Sequence, residues 1–259
     1  MSWEVDAHDG AVVVAMNSNP VNKMNHAFFD DLHEALDRLD RSYPGQPLVL
    51  TARGQTFSAG LDLDQAFSLF ARKDPDAVLK WFGLFRDCIV RFFELPRRVI
   101  AAVNGNAFAG GLILALSCEH RIGVAGRGRY TLNEVMIGIP MPAVYTEIVR
   151  HAVGTSVAAE LILDGRLFTA DEALARGLVH RLVPEGDLLA AALGQARVVD
   201  ETTYPAYRVS KANLIAPTVN RIQRSPEGID SAALHALMQP AAQRAQAAAL
   251  ARLKDKPKV

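Results

Sequence analysis

Residues 99–117 read Val-Ile-Ala-Ala-Val-Asn-Gly-Asn-Ala-Phe-Ala-Gly-Gly-Leu-Ile-Leu-Ala-Leu-Ser. The apolar run at residues 99–103 predicts a strand that is buried on both faces, and a polar turn follows it. Gly110 and Gly111 open a second apolar run, which predicts a helix buried all round. Glycines at the start of a helix leave unpaired backbone N–H groups uncovered, and such donors can face an anion or a developing oxyanion. The alternative is that the two glycines only allow close helix packing.

Length and composition indicate an enzyme-sized globular chain. The 259 residues are half apolar, and 28 basic side chains balance 28 acidic ones. This length predicts one large domain, or one domain with a helical extension. The balanced charge argues against a nucleic-acid partner, and no apolar run is long enough for a membrane span. The amino terminus does not resemble a signal peptide.

The two cysteines indicate the compartment. Cys88 and Cys118 lie in apolar stretches, which predicts free buried thiols and a reducing, cytoplasmic location. No Cys/His cluster has the spacing of metal ligands, so the sequence predicts no metal site.

The first fifty residues indicate a parallel sheet. Strands are predicted at residues 3–9 and 11–17, a helix capped by Asn25 at residues 27–39, and a further strand at residues 48–51. A crossover helix between strands favours parallel pairing.

The remainder of the chain is mostly helical. Helices are predicted at residues 76–95, 143–152, 155–163, 187–199, 204–215 and 231–253, with a break at Gly154 and an interruption at Pro240. Strands are predicted at residues 121–125 and 178–183.

A second helix start offers another free backbone donor. Gly60 precedes a helical pattern whose first turn holds Asp62 and Asp64. Acids in a first turn complement the helix dipole, so capping is the preferred interpretation over catalysis. The N–H of Leu61 is then a free donor. Ser58 lacks the Gly-x-Ser-x-Gly context of a nucleophile.

Glu134 is an isolated acid in an apolar run that extends to Glu147. If the Glu134 carboxyl is buried, its pKa is raised, which suits proton transfer. The alternative is an exposed loop acid.

Five segments in this order resemble the crotonase superfamily of enoyl-CoA hydratases, Δ3,Δ2-enoyl-CoA isomerases and relatives. They are residues 20–24 (Pro-Val-Asn-Lys-Met), 57–63 (Phe-Ser-Ala-Gly-Leu-Asp-Leu), 104–111, 117–122 and 172–184. The resemblance implies an α/β crotonase (ClpP-like) fold, in which repeated β-β-α units form a spiral core over residues 1–200. It also implies a helical carboxy-terminal region, residues 201–259, used to form a homotrimer or a dimer of trimers.

The resemblance also implies the functional residues. The backbone N–H groups of Leu61 and Gly110 form an oxyanion hole for the thioester oxygen of an acyl-CoA, and Glu134 is the catalytic acid and base. Further substrate- or CoA-binding positions are Lys23, Ser58, Ala59, Gly60, Asp62, Gly111, Ile113 and Pro142. Lys211 is a second candidate for the CoA phosphates. No cofactor is implied, because coenzyme A is part of the substrate.

One departure from the family pattern indicates which of the family's reactions to expect. Hydratases carry two glutamates, and Ile113 stands at the position of the first, so that only Glu134 remains. One carboxylate is sufficient to move a proton from C2 to C4 of a 3-enoyl thioester, whereas hydration also needs a positioned water. The sequence therefore favours a Δ3,Δ2-enoyl-CoA isomerase. A hydratase of unusual preference and an acyl-CoA-binding protein without chemistry remain alternatives.

Overall fold

The structure is a computed structural model that describes residues 2–8, 10–224 and 229–254. Met1, Asp9 and residues 225–228 and 255–259, which belong to the predicted core and the predicted helical region, lie outside the described residues.

The described chain contains two sheets and a series of helices. The strands are β1 (Trp3–His8), β2 (Ala11–Met16), β3 (Leu48–Ala52), β4 (Thr56–Ser58), β5 (Val99–Val103), β6 (Asn106–Phe108), β7 (His120–Val124), β8 (Arg129–Thr131), β9 (Phe168–Thr169) and β10 (Arg181–Val183). The helices are α1 (His26–Ser42), α2 (Leu63–Ala71), α3 (Pro75–Phe93), α4 (Gly110–Leu116), α5 (Ala143–Ile162), α6 (Ala170–Ala175), α7 (Leu188–Ala196), α8 (Tyr204–Ile222), α9 (Ser231–Leu237) and α10 (Pro240–Lys254).

The large sheet has the strand order β1-β2-β3-β5-β7-β10 and is parallel except for the β1–β2 hairpin. The strand predicted from the opening stretch is β5, which lies between β3 and β7 and is buried along its whole length. Both faces of the sheet are covered, because α7 packs on one side and the main core lies on the other. The predicted α/β architecture with parallel pairing is confirmed.

The small sheet was not predicted. Its order is β4-β6-β8-β9, and β4, β6 and β8 are parallel to one another. Strands of two or three residues are too short to show an alternating pattern, which is why Asn106 of β6 was predicted as part of a turn. This sheet matters for function because β4 leads into residues 59–62, which contain Gly60, and β6 leads into Ala109 and the pair Gly110-Gly111; these are called the first and second glycine segments.

Local helix signals agree with the structure. The Asn25 side chain accepts the Phe28 N–H at the start of α1, and Thr169 and Glu172 form a capping box on α6. Helix α5 is interrupted at Gly154, whose φ of 75° is not helical. Such local signals depend on neighbours in the sequence, which is why they were predictable.

Two predicted boundaries were wrong. The last strand covers only Arg181–Val183, and α8 continues past the predicted end at residue 215 to Ile222 despite Pro217. Helix α8 buries Ile215, Thr218 and Ile222 and packs against α5. Burial of this face outweighs the local cost of the proline.

The carboxy-terminal helix packs onto the chain's own core. Helix α10 contacts α2 and the 3-10 turn Val135–Ile137. Ala242 and Ala245 of α10 lie against Gly138, where an added Cβ would be 2.8 Å from the Ala242 carbonyl oxygen. Gln246 donates a 3.3 Å hydrogen bond to the Gly138 carbonyl. The alanine-rich sequence thus permits a close approach to the segment after Glu134.

The remaining expectations from composition concern thiols and membranes. Cys88 and Cys118 are both free and buried, as predicted, and burial raises the pKa of each thiol. Within the described residues, none of the helices combines the length and the apolar character needed for a bilayer span.

Candidate active site

The first glycine segment, residues 59–62, connects β4 to α2 and holds Leu61 in place. The Ser58 hydroxyl donates to the Asn22 carbonyl at 2.7 Å and accepts the Gly60 N–H at 3.1 Å. The Met24 N–H donates to the Gly60 carbonyl at 2.9 Å, and the Asp62 N–H donates to the Met24 carbonyl at 2.8 Å. These bonds bracket Leu61, whose own N–H has no acceptor among the described residues.

The second segment connects β6 to α4 and leaves another N–H unpaired. The Ala109 N–H donates to the Thr131 carbonyl at 2.9 Å. The Ala109 carbonyl accepts the N–H groups of Leu112 and Ile113 at 2.9 and 3.1 Å. The N–H of Gly110 lies between these bonds and has no acceptor within the part of the chain that is described.

The two segments touch each other. A Cβ atom added at Gly60, whose φ is 80°, would lie 2.7 Å from the Ala109 Cβ and 3.2 Å from the Gly110 backbone nitrogen. A Cβ atom added at Gly111 would lie 2.6 Å from the Ser58 Cβ. Glycine is therefore required at both positions by close backbone approach. The contact brings the unpaired donors of Leu61 and Gly110 into one region.

Glu134 follows the strand that pairs with the second segment. Strand β8 pairs with β6, and the 3-10 turn Val135–Ile137 begins directly after Glu134. The Glu134 carbonyl accepts the N–H groups of Ile137 and Ile139 at 3.1 and 2.9 Å. These bonds fix the backbone that carries the acid, three residues after the Thr131 carbonyl that holds Ala109.

The Glu134 carboxyl is buried and incompletely paired. The residue is 7% exposed, and its Oε2 atom has no hydrogen-bond partner among the described residues. Burial raises the pKa of Glu134 to about 7, opposed in part by a hydrogen bond from its own backbone. A carboxyl with this pKa can accept and return a proton near neutral pH. Of the two interpretations that the sequence left open, the structure therefore shows the buried acid and not the exposed loop acid.

The surroundings of Gly110 are apolar. Where a Cβ would sit on Gly110, the Met24 Sδ is 3.2 Å away and the Phe85 Cζ 3.1 Å away. The Phe85 ring packs on Tyr145 with a centroid separation of 4.6 Å. Ile113, one turn into α4, is 1% exposed. Met24 was not predicted as a site residue, although it lies in a segment that resembles the family. Phe85 lies on the apolar face of α3, within the stretch 63–93 from which an apolar pocket lining was expected.

Other predicted binding residues have structural partners. The Asp62 carboxylate caps α2 by accepting the N–H groups of Asp64 and Gln65, as the capping interpretation expected. The Ser58 side chain is completely buried, so a direct contact of its hydroxyl with substrate is corrected to a role in shaping the loop. Ala59 and Lys23 are partly buried, and Pro142 is buried at the start of α5.

Lys211 is not available to coenzyme A. Its ammonium lies 2.6 Å from a Glu119 carboxylate oxygen and donates to the Arg97 carbonyl at 3.0 Å. The residue is 5% exposed. The prediction that Lys211 meets phosphates was wrong, because the helix α8 turns this side chain into the protein and not toward solvent.

Comparison with known proteins identifies the family of this chain. A model of the enoyl-CoA hydratase/isomerase family matches residues 6–250. The chain belongs to the enoyl-CoA hydratase/isomerase family.

The family contains relatives of both names. A putative enoyl-CoA hydratase of Thermus thermophilus is 36% identical over 217 residues, which cover 82% of this chain and 83% of the relative. The human mitochondrial enoyl-CoA delta isomerase 1 is 29% identical over 85% of this chain and 72% of the relative. The crystal structure of human mitochondrial delta3-delta2-enoyl-CoA isomerase superposes with a TM-score of 0.91 at 25% identity, covering all of both chains. The predicted crotonase fold is thereby confirmed. The prediction of an enzyme of the enoyl-CoA hydratase/isomerase family is confirmed as well.

Proposed function

We propose that this protein is an enoyl-CoA isomerase that moves the double bond of a 3-enoyl-CoA to the 2-position. The proposal is carried by one observation: the buried Glu134 carboxyl, whose pKa is raised to about 7, with isoleucine at position 113. The two unpaired N–H groups of Leu61 and Gly110 supply the complementary electrostatics.

In this mechanism the thioester oxygen accepts hydrogen bonds from the Leu61 and Gly110 N–H groups. Ionised Glu134 removes a proton from C2, and the electron pair left behind forms a dienolate whose charge rests on the thioester oxygen. The same carboxyl, now protonated, delivers that proton to C4, and the double bond is left between C2 and C3. One fixed oxyanion donor is worth on the order of 10²–10³ in rate.

Ile113 and the apolar wall favour isomerisation over hydration. Hydration needs a water molecule that is held and deprotonated, together with a group for the second proton transfer. Ile113, Met24 and Phe85 carry no group able to hold a water in this way. An apolar wall also protects a dienolate from stray protonation by solvent.

Hydration by Glu134 alone is the second candidate, and it is favoured by the 36% identity to a putative enoyl-CoA hydratase. Product analysis separates the two reactions. The purified protein is incubated with 3-enoyl-CoA and 2-enoyl-CoA thioesters of several chain lengths; chromatography resolves the double-bond isomers, and mass spectrometry detects the addition of water. We expect isomer interconversion, and a dominant water adduct would favour the hydratase.

The variant Glu134→Gln tests the role of the acid. We expect turnover to fall by about 10²-fold or more, since general acid–base catalysis is removed, while acyl-CoA affinity is retained. Glu201→Gln, at an exposed glutamate, is the matched control. Unchanged isomerisation in Glu134→Gln would refute the mechanism. If the wild type binds acyl-CoA but forms no product from any of the substrates, the protein is an acyl-CoA-binding protein without catalytic activity.

The family resemblance carries two further proposals. Lys23 is a candidate contact for the CoA phosphates, which Lys23→Ala tests through the KM of the thioester. A homotrimer or dimer of trimers is expected, and sedimentation of the full chain measures it.

A further inference from the structure

Ala109 has a backbone conformation that L-amino acids rarely adopt. Its φ is 49° and its ψ is −127°, which lies outside the small left-handed helical region open to non-glycine residues. Glycine adopts this conformation without steric cost, as at the first central position of a type II′ turn. A side chain persists in such a conformation only where the surrounding structure holds it, and such positions cluster at functional sites.

The backbone of Ala109 is held on both sides. Its N–H donates to the Thr131 carbonyl at 2.9 Å, and its carbonyl accepts two N–H groups from the first turn of α4. Because a peptide bond is planar and trans, the Gly110 N–H points opposite to the Ala109 carbonyl. The carbonyl is directed toward α4, so the N–H is directed away from it. The ψ angle of Ala109 therefore sets the direction of the Gly110 donor.

The methyl group of Ala109 faces the first glycine segment. The Ala109 Cβ lies 2.7 Å from the position that a Cβ on Gly60 would occupy, so no second methyl fits between them. Gly60 immediately precedes Leu61, and its carbonyl is held by Met24. The methyl group and the Phe108 carbonyl oxygen, which lies 2.7 Å from the same position, are thus the groups that pack against the backbone before Leu61.

We infer that Ala109 is a positioning residue, whose methyl group sets the spacing between the Leu61 and Gly110 donors and whose strained backbone aims the second of them. This inference rests on the oxyanion pair of the proposed function. A displacement of about 1 Å at a reacting centre can cost 10²-fold in rate, so small changes in this spacing are measurable.

The test is Ala109→Gly, with Ala107→Gly as the matched control. Ala107 is a buried alanine of β6, two residues earlier, that is absent from the residues of positive φ. Ala107→Gly lowers the thermal midpoint by several degrees and leaves kcat within about twofold, because it removes buried surface and adds unfolded-state entropy. In Ala109→Gly, relief of strain offsets the added entropy, so the midpoint stays level or rises. We expect kcat to fall about tenfold in Ala109→Gly while KM changes by less than about threefold.

A second measurement reads the donors without turnover. A 3-oxoacyl-CoA ionises to an enolate with a distinct near-ultraviolet absorbance, and two donors at its thioester oxygen lower its pKa when it is bound. We expect the equilibrium constant for forming the bound enolate to be about tenfold lower in Ala109→Gly than in the wild type. In Ala107→Gly we expect this constant to equal that of the wild type.

These readouts separate the failure of this inference from failure of the proposed function. A wild type that stabilises the enolate but isomerises nothing would defeat the proposed function and leave Ala109 in its assigned role. Enolate stabilisation in Ala109→Gly equal to that of the wild type would overturn the role of Ala109, whatever the turnover. A wild type without enolate stabilisation would overturn both.

Discussion

Replacing Glu134 by glutamine is expected to stabilise the protein at neutral and alkaline pH while it removes the catalytic group. The carboxyl is buried and its Oε2 has no partner among the described residues, so the folded chain disfavours the ionised form. Glutamine has nearly the same shape and carries no charge. The variant therefore escapes a penalty that the wild type bears whenever Glu134 is ionised.

The magnitude follows from the pKa. Burial raises the pKa of Glu134 from its ordinary value of 4.5 to about 7. A group with a raised pKa contributes stability that is fully present below the unfolded value and is lost as the pH rises through the folded value. Each pH unit between the two values is worth 1.36 kcal/mol, which amounts to about 3 kcal/mol between pH 4.5 and pH 7. The advantage of Glu134→Gln is therefore small near pH 4.5 and reaches about 3 kcal/mol above pH 7.

Urea unfolding of the wild type and the variant, at about pH 4.5 and about pH 8, measures this difference through the free energy of unfolding. Glu172→Gln serves as a control of opposite sign, because bonds from Thr169 and Arg166 lower the pKa of Glu172. The stabilisation by ionised Glu172 is present at high pH and lost as the pH falls. Glu172→Gln is therefore less stable than the wild type at pH 8. The reasoning is refuted if Glu134→Gln is no more stable than the wild type at pH 8, or if the two proteins differ equally at both pH values. Either result would show that folding does not disfavour the ionised carboxyl.

The other predictions concern activity, an ion pair and a close contact. The value of kcat/KM for isomerisation should rise with pH to a plateau with a midpoint near 7, because only ionised Glu134 accepts the C2 proton; a midpoint near 4.5 in a stopped-assay pH series would contradict this. Lys211→Ala should lower the free energy of unfolding by up to about 3 kcal/mol, because it removes the ammonium that pairs with the Glu119 carboxylate and donates to the Arg97 carbonyl, with acyl-CoA affinity within about twofold by calorimetry. Gly111→Ala should cost about 1–3 kcal/mol in urea unfolding and reduce turnover, since its methyl meets the Ser58 Cβ at 2.6 Å. Gly186→Ala, where the space is open, is the control, and equal effects of the two would contradict the contact.

Local features of this chain were predictable from sequence because their causes are local. The buried β5 strand and the all-buried α4 helix follow from unbroken apolar runs. The caps at Asn25, Asp62 and Thr169 follow from side chains that bond to N–H groups two or three residues ahead. The lone position of Glu134 in an apolar run suggested a raised pKa only if the carboxyl was buried, and its burial, which raises the pKa, came from the tertiary structure.

Features that depend on distant segments were decided only by the tertiary structure. The strands of the small sheet are too short to show a pattern, and their pairing comes from the packing of the segments they connect. The direction of Lys211 is set by Glu119 and Arg97, which lie about a hundred residues earlier in the chain. The contact between Gly60 and Ala109 joins segments whose separation in sequence gives no sign of their spacing. Sequence thus determined which groups this protein carries and which apolar segments are buried. The distances between those groups, on which the chemistry depends, came from packing that no short stretch of sequence encodes.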